Sequence, residues 1–240
     1  MKSRFLPTAG RRLAVAVVAI PLVTVGCAGR SDDHGVAAAT RSPIAGVTYS
    51  SDRRLPANSA SDLATYADLV ATITVVSEQK IPATDEEIER GEGLIGRRVT
   101  VSIDHVYWKL NPKAPPPSQL TFDVAGWALR DGKEYPMLAE SGLRVQKGRT
   151  YIAPLVQFAP NDWGYISDDL VFPVVGGEIS PDPKSQNVPQ DFANLNGAPV
   201  TAYGKIVASA TPDPDAAEFM NLPAEARFDA VVDKKKEESD

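Results

Sequence analysis

The sequence holds 240 residues, with 25 Lys and Arg against 31 Asp and Glu, a net charge of −6 and one cysteine. An acidic balance repels phosphate backbones and argues against nucleic acid as a partner. A single Cys excludes an internal disulfide and a zinc–thiolate cluster, so a folded domain here depends on its apolar core.

The first twelve residues contain Lys2, Arg4, Arg11 and Arg12 and no acid. An apolar run of 13 residues, Leu13 to Val25, follows and is interrupted by Pro21. A spanning helix needs about 20 apolar residues. A basic start, a short apolar stretch and a small residue before a cut make an export signal instead. Thr24-Val25-Gly26-Cys27 resembles the bacterial lipobox and departs from it in Thr24, where the family prefers Leu. The resemblance implies removal of residues 1–26, a diacylglyceryl thioether on Cys27, and a mature chain anchored by lipid to the extracytoplasmic face of the cell membrane. Gly10 and Ala14 do not suit a twin-arginine signal around Arg11 and Arg12, so general secretion is expected. Loss of the signal removes four cations and no acid, leaving 21 against 31 and a charge near −10. Such a body has little attraction to anionic lipid. Attachment then falls to the acyl chains, at about 0.8 kcal/mol per buried methylene.

Residues 27–61 are rich in Ser, Ala, Gly and Asp with little apolar periodicity, and read as a flexible linker. The domain is expected over 62–180. Leu69 to Ser77 alternates Leu69, Ala71, Ile73 and Val75 with Val70, Thr72, Thr74 and Val76, the pattern of a strand apolar on both faces. Ile81 to Gly96 is acidic and reads as a loop. Arg97 to Trp108 alternates again, with Val99, Val101 and Ile103 inward and Thr100, Ser102 and Asp104 outward. The Pro-rich stretch Asn111 to Gln119 cannot enter a sheet interior. Gln119 to Val124, Thr150 to Phe158 and one or two short runs within Gly164 to Val175 complete the strands.

Beyond residue 180 the chain turns polar. Val200 to Ser209 suits a strand or a short helix, and residues 215–238 suggest a helix with a charged end. Residues 181–240 are expected as a partly helical, partly disordered extension, with Phe219, Leu222, Phe228 and Val231 able to pack back on the domain.

Five or six strands in about 115 residues give a mainly all-β class, a small antiparallel barrel or sandwich. Ala67 to Val75, Val99 to Lys109 and Val145 to Val156 together resemble OB-fold-like domains of the netrin/TIMP type. That resemblance implies an OB-like barrel that binds through loops and one exposed strand face. The family's inhibition of metalloproteinases depends on a Cys at the domain start. None stands there in this chain, so that activity does not carry over.

No nucleophile elbow, zincin helix or phosphate loop appears, and no cofactor or metal is expected. His105 is the only histidine in the domain and continues the Val99–Ile103 face, which predicts a packed or rim position. An envelope hydrolase using His105 and loop acids is the alternative to a binding module. The acids between Asp85 and Glu92 lack the alternate spacing of a calcium loop. Aromatics supply the binding candidates: Trp108, Trp127, Trp163 and Tyr165 fall at expected strand ends or loops, and Trp and Tyr are favoured at recognition hot spots. They are equally suited to plugging a small barrel. The expected function is a non-enzymatic interaction module whose partner is an envelope protein or a glycan.

Overall fold

The computed structural model describes residues 46–49, 55–181 and 187–239. The export signal, the lipobox, Cys27 and most of the expected linker lie outside the described residues. No helix among those described is long and apolar enough to cross a membrane.

The chain is mainly β. Among the described residues nine strands run as β1 (Val47–Tyr49), β2 (Leu69–Ile81), β3 (Gly93–Lys109), β4 (Gln119–Arg130), β5 (Lys133–Ala139), β6 (Thr150–Ala159), β7 (Asp162–Tyr165), β8 (Phe172–Val175) and β9 (Glu178–Ile179). Their order in the sheet is β1-β5-β4-β3-β2-β6-β8-β9, with β7 beside β6. All pairs are antiparallel except β1 with β5. The sheet curls until β7 touches β4 without pairing. The result is a curled half-barrel sheet.

Strand β2 is apolar on both faces because each face has its own core. On the inner face Leu69, Ala71, Ile73 and Val75 pack with Val99, Val101, Leu120 and Phe122. On the outer face Val70, Ile152 and Val156 pack against α1 (Ala60–Tyr66) and α3 (Val200–Ser209). Gly204 lets α3 lie close on β3: a Cβ there would meet the Tyr107 Cβ at 2.5 Å.

The packing does not stop at the expected boundaries of 62 and 180. Leu55, Ala57 and Ala60 on one side, and Phe192, Leu195, Tyr203, Val207 and Ala224 on the other, belong to the outer-face core. The last helix, α4 (Ala224–Glu237), is fixed by Arg227, which is 2% exposed. Its guanidinium donates to the carbonyls of Thr65, Leu222 (2.7 Å) and Met220 (3.3 Å). These residues cover apolar surface of the sheet that water would otherwise reach, so they are core rather than appendage.

Two segments differ from the sequence expectation for local reasons. The acidic stretch is not a loop: β2 and β3 extend into a long ribbon tipped by α2 (Asp85–Arg90). Thr84 and Glu87 form a reciprocal capping box at its start. After β4, Asp131 and Gly132 take positive φ (50° and 70°), the geometry of a tight hairpin turn, and β5 returns along β4.

Candidate functional site

The seam between β4 and β7 is where two strand edges lack a ladder among the described residues. The Ile103 N–H bonds the Ser118 carbonyl at 2.9 Å, which sets the alternation between β3 and β4. Leu120, Phe122 and Val124 therefore turn their backbone groups toward β3, while Thr121 and Asp123 turn theirs away. β5 pairs β4 only from Trp127 onward. On the other wall, the Ile166 N–H bonds the Pro154 carbonyl at 3.2 Å, so Trp163 and Tyr165 aim their backbone groups away from β6 and toward β4.

Above this seam lies a groove of about 840 Å3, within the roughly 300–1,000 Å3 of small-ligand sites. One wall is the outward face of β4, with Thr121, Asp123 and Arg98 from β3; the other is the stretch Phe158 to Asp168, carrying Asn161, Trp163 and Tyr165. Pro160 and Asn161 make the β6–β7 turn, and Asn161 takes left-handed backbone (φ 66°), which Asn tolerates better than most residues. Arg98 is held flat by two bonds to Asp123, Nε to Oδ1 at 2.7 Å and Nη2 to Oδ2 at 2.9 Å. From inside, Phe122 and Tyr165 meet edge to face at 5.0 Å and close the floor.

A polar cluster stands at one end of the groove. The Tyr49 hydroxyl donates to Asp168 Oδ2 at 2.8 Å. Burial raises the Asp168 carboxyl above its ordinary range; the bond from Tyr49 opposes this and the charge of Asp169 adds to it. Burial, and then the Asp168 charge, push Tyr49 and Tyr165 above the ordinary tyrosine range. Behind them Arg97, 2% exposed, donates to the Val145 carbonyl (2.7 Å) and to Glu78 (3.2 Å), while its Nε has no partner among the described residues. Arg144 donates to the carbonyls of Gly126 (2.6 Å) and Met137 (3.0 Å). Its pKa falls to about 10 through burial first and the charge of Arg97 second. The cavity among these groups is about 10 Å3, room for about one water. Any larger ligand belongs to the groove.

Of the four expected aromatics, Trp163 and Tyr165 both line the groove, and both also pack against the inner-face core, as plugging residues would. Trp127 lies inside β4 rather than in a loop, with Lys80 Nζ 4.4 Å and Arg144 Cζ 4.7 Å from its ring centroid. Trp108 pairs with Val70 and packs with the outer-face core. His105 is exposed, a correction to the expected packed face. Ile103 and His105 pair with Ile73 and Thr72, so Asp104 is a bulge that turns His105 to the opposite face. Its ring contact is Tyr107 at 4.6 Å. It does not line the groove, whereas Asp162 at the start of β7 and Asp168 just beyond β7 do. No group of three or more His, Cys, Asp and Glu suited to a metal ion occurs among the described residues.

Tyr49, Arg97 and Arg144 were not among the residues the sequence singled out. Tyr49 carried a signal, since Val47-Thr48-Tyr49 is a short β-prone run inside an otherwise polar stretch. No family model, curated protein or solved structure matches this chain.

Proposed function

We propose that this chain is a lipoprotein, anchored through Cys27 to the extracytoplasmic face of the cell membrane, whose β-rich domain is a non-enzymatic binding module of the envelope. The observation that supports a binding role is the β4–β7 groove, lined by the part-exposed rings of Trp163 and Tyr165 and by the edges of two strands that do not pair with each other. Its wall has one rigid ion pair and two part-exposed rings, the mixture of fixed polar groups and aromatic area that recognition sites use. The basic start, short apolar run and lipobox-like tetrad at residues 1–27 support the anchor. The acidic charge of the mature chain disfavours nucleic acid.

The test has two arms in one strain. Labelled fatty acid is expected on the wild type and absent from Cys27→Ser, which leaves the membrane fraction or persists as precursor. Crosslinking of the native lipoprotein in intact cells is expected to capture an envelope component that Thr121→Arg, a bulky change on the groove wall, no longer captures. A wild type without label overturns the anchor, and capture indifferent to Thr121→Arg overturns the groove as the site.

A further inference from the structure

We propose that the free edge of β2 beyond Val75 is a self-association surface, on which a second copy of this chain adds its own β2 antiparallel about a two-fold axis at Gln79.

The edge begins where β6 stops. The last β6 pair along β2 is Thr74 with Thr150. Val75 is still bonded on that side: its N–H donates to the Arg149 carbonyl at 3.1 Å, and its carbonyl accepts from the Gly148 N–H at 2.8 Å. From there β2 runs on to Ile81 with Val76 to Lys80 all exposed. Among the described residues only β3 pairs with this stretch.

The alternation of the ladder fixes which backbone groups point outward. The Ile103 N–H faces β4, so Ser102, Thr100 and Arg98 face β2. Their partners there are Thr74, Ser77 and Gln79. Glu78 and Lys80 therefore turn their N–H and C=O groups to the open side. The Val75 bonds agree, since a residue next to Thr74 must face away from β3. Outward groups of this kind are a template for another strand.

The side chains select which strand. Charges on an edge ordinarily deter an incoming strand. An antiparallel copy of the same edge centred on Glu78 or on Lys80 sets like charges directly opposite, which is unfavourable. Centred on Gln79, it sets each Glu78 against a Lys80 and lets both pairs exchange backbone bonds. Within the chain Glu78 already holds Arg97 at 3.2 Å and Lys80 holds Glu134. A carboxylate accepts several bonds and an ammonium donates three, so each has capacity for a partner across the axis.

The length of the edge matches the same register. Opposite Val76 of one copy stands Pro82 of the other, which has no N–H and ends the ladder. The next position, Ala83, falls opposite Val75 of the second copy, where β6 already occupies the side. The chain turns there into α2, and its acidic start, Asp85 and Glu86, arrives beside Lys147 and Arg149 of the second copy. A two-fold axis repeats this meeting of acids with bases at both ends of the contact.

The experiment introduces cysteines into the full chain and applies a mild oxidant to intact cells. Disulfides are located by peptide mass, so that one through Cys27, the single native cysteine, does not count. In the proposed register the two Gln79 residues form a non-hydrogen-bonded pair with Cα atoms about 4.5 Å apart, within reach of a disulfide. Gln79→Cys is expected to crosslink to itself. Ser77→Cys is not, because Ser77 stands opposite Ile81; co-expressed Ser77→Cys and Ile81→Cys chains are expected to crosslink to each other. Adding Gln79→Lys to both of those chains sets like charges across the axis and is expected to lower that crosslink about fivefold. Gln79→Lys in one chain with Gln79→Glu in the other is expected to restore it. Gln79 is exposed, so these changes leave the fold intact. Absence of a disulfide between the two 79 positions, an equally abundant one between the two 77 positions, or a crosslink indifferent to Gln79→Lys overturns the proposal. A strand of another protein on this edge would produce the first of these outcomes. Fatty-acid labelling of Cys27 in the same cells reports on the anchor separately.

Discussion

The Tyr49 hydroxyl donates a 2.8 Å hydrogen bond to Asp168 across 119 residues of sequence, and with it joins one end of the sheet to the segment beyond β7. β1 is three residues long and pairs with β5 alone among the described strands, Tyr49 standing opposite Ala139, so this side chain adds a second tie at its end. The bond also bears on the groove, because both residues line it.

Tyr49→Phe removes the donor and leaves a buried carboxylate oxygen unsatisfied, a loss of about 1–3 kcal/mol. The expected result is a lower urea midpoint with an unchanged slope, since the surface exposed on unfolding stays the same. A midpoint equal to wild type would mean that the bond contributes nothing to closing the sheet.

The same site sets a pH dependence. Burial holds the carboxyls of Asp168 and Asp68 above their ordinary value of 3.8. For Asp68 the Gln157 N–H and the charge of Arg227 oppose the rise. A folded-state pKa above the unfolded one means that the folded chain binds more protons in the window between them. Stability from these two groups is therefore fully present below the unfolded value and falls as pH rises through the raised ones. Urea midpoints taken from about pH 4 to about pH 7 are expected to fall less steeply in Asp168→Asn than in wild type. Parallel profiles would remove Asp168 as a source.

The C-terminal residues should behave as core. A chain ending at Ser180 loses Phe192, Leu195, Tyr203, Val207 and Ala224 from the outer-face cluster and exposes Val70, Ile152 and Val156. It is expected to lack a cooperative melt, read by circular dichroism. Arg227→Ala in the full chain strips three carbonyls of their donor, and one unsatisfied buried group alone costs about 1–3 kcal/mol. A truncated chain that melts like wild type would place the domain boundary at residue 180 after all.

How much of this was legible follows from the range of the forces involved. The period-2 patterns of Leu69–Ser77, Val99–Ile103 and Gln119–Val124 gave their strands because alternation is local and strong. The capping box at Thr84–Glu87 and the Asp131-Gly132 turn were also local signals, but the surrounding acidic and charged residues masked them. The bulge at Asp104 was not legible. It depends on how β2 and β3 register across more than thirty residues, and one extra residue was enough to turn His105 over. Trp163 and Tyr165 were singled out from residue type alone, which carried no signal of the inner-core packing that both also make. Tyr49 was missed because its meeting with Asp168 depends on the curl of the whole sheet.

The face assignment can be checked by truncation. Ile73 is fully buried in the inner core, and Ile73→Ala is expected to cost about 2–5 kcal/mol. His105→Ala, on the exposed face beyond the bulge, is expected to stay within about 0.5 kcal/mol. Comparable losses from both would mean that β3 carries no bulge and that His105 is packed.

Trp127 makes the last prediction, and it separates a structural ring from a binding one. Lys80 stands 4.4 Å from its ring centroid and Arg144 4.7 Å, while Lys80 is also paired with Glu134 on β5 and Arg144 with carbonyls of β4 and β5. The ring thus sits between two cations that tie β2, β4 and β5 together. A cation over an indole contributes about 0.5–1 kcal/mol when exposed and about 2 when desolvated. Trp127→Leu keeps an apolar side chain but removes both contacts, so a loss of about 1–3 kcal/mol is expected, with ligand capture intact in whatever fraction remains folded. A double-mutant cycle of Trp127→Leu with Lys80→Met isolates the exposed half of the clamp and is expected to show coupling of about 0.5–1 kcal/mol. Zero coupling would reduce Trp127 to ordinary packing, and loss of capture at unchanged stability would move it from the clamp to the recognition surface.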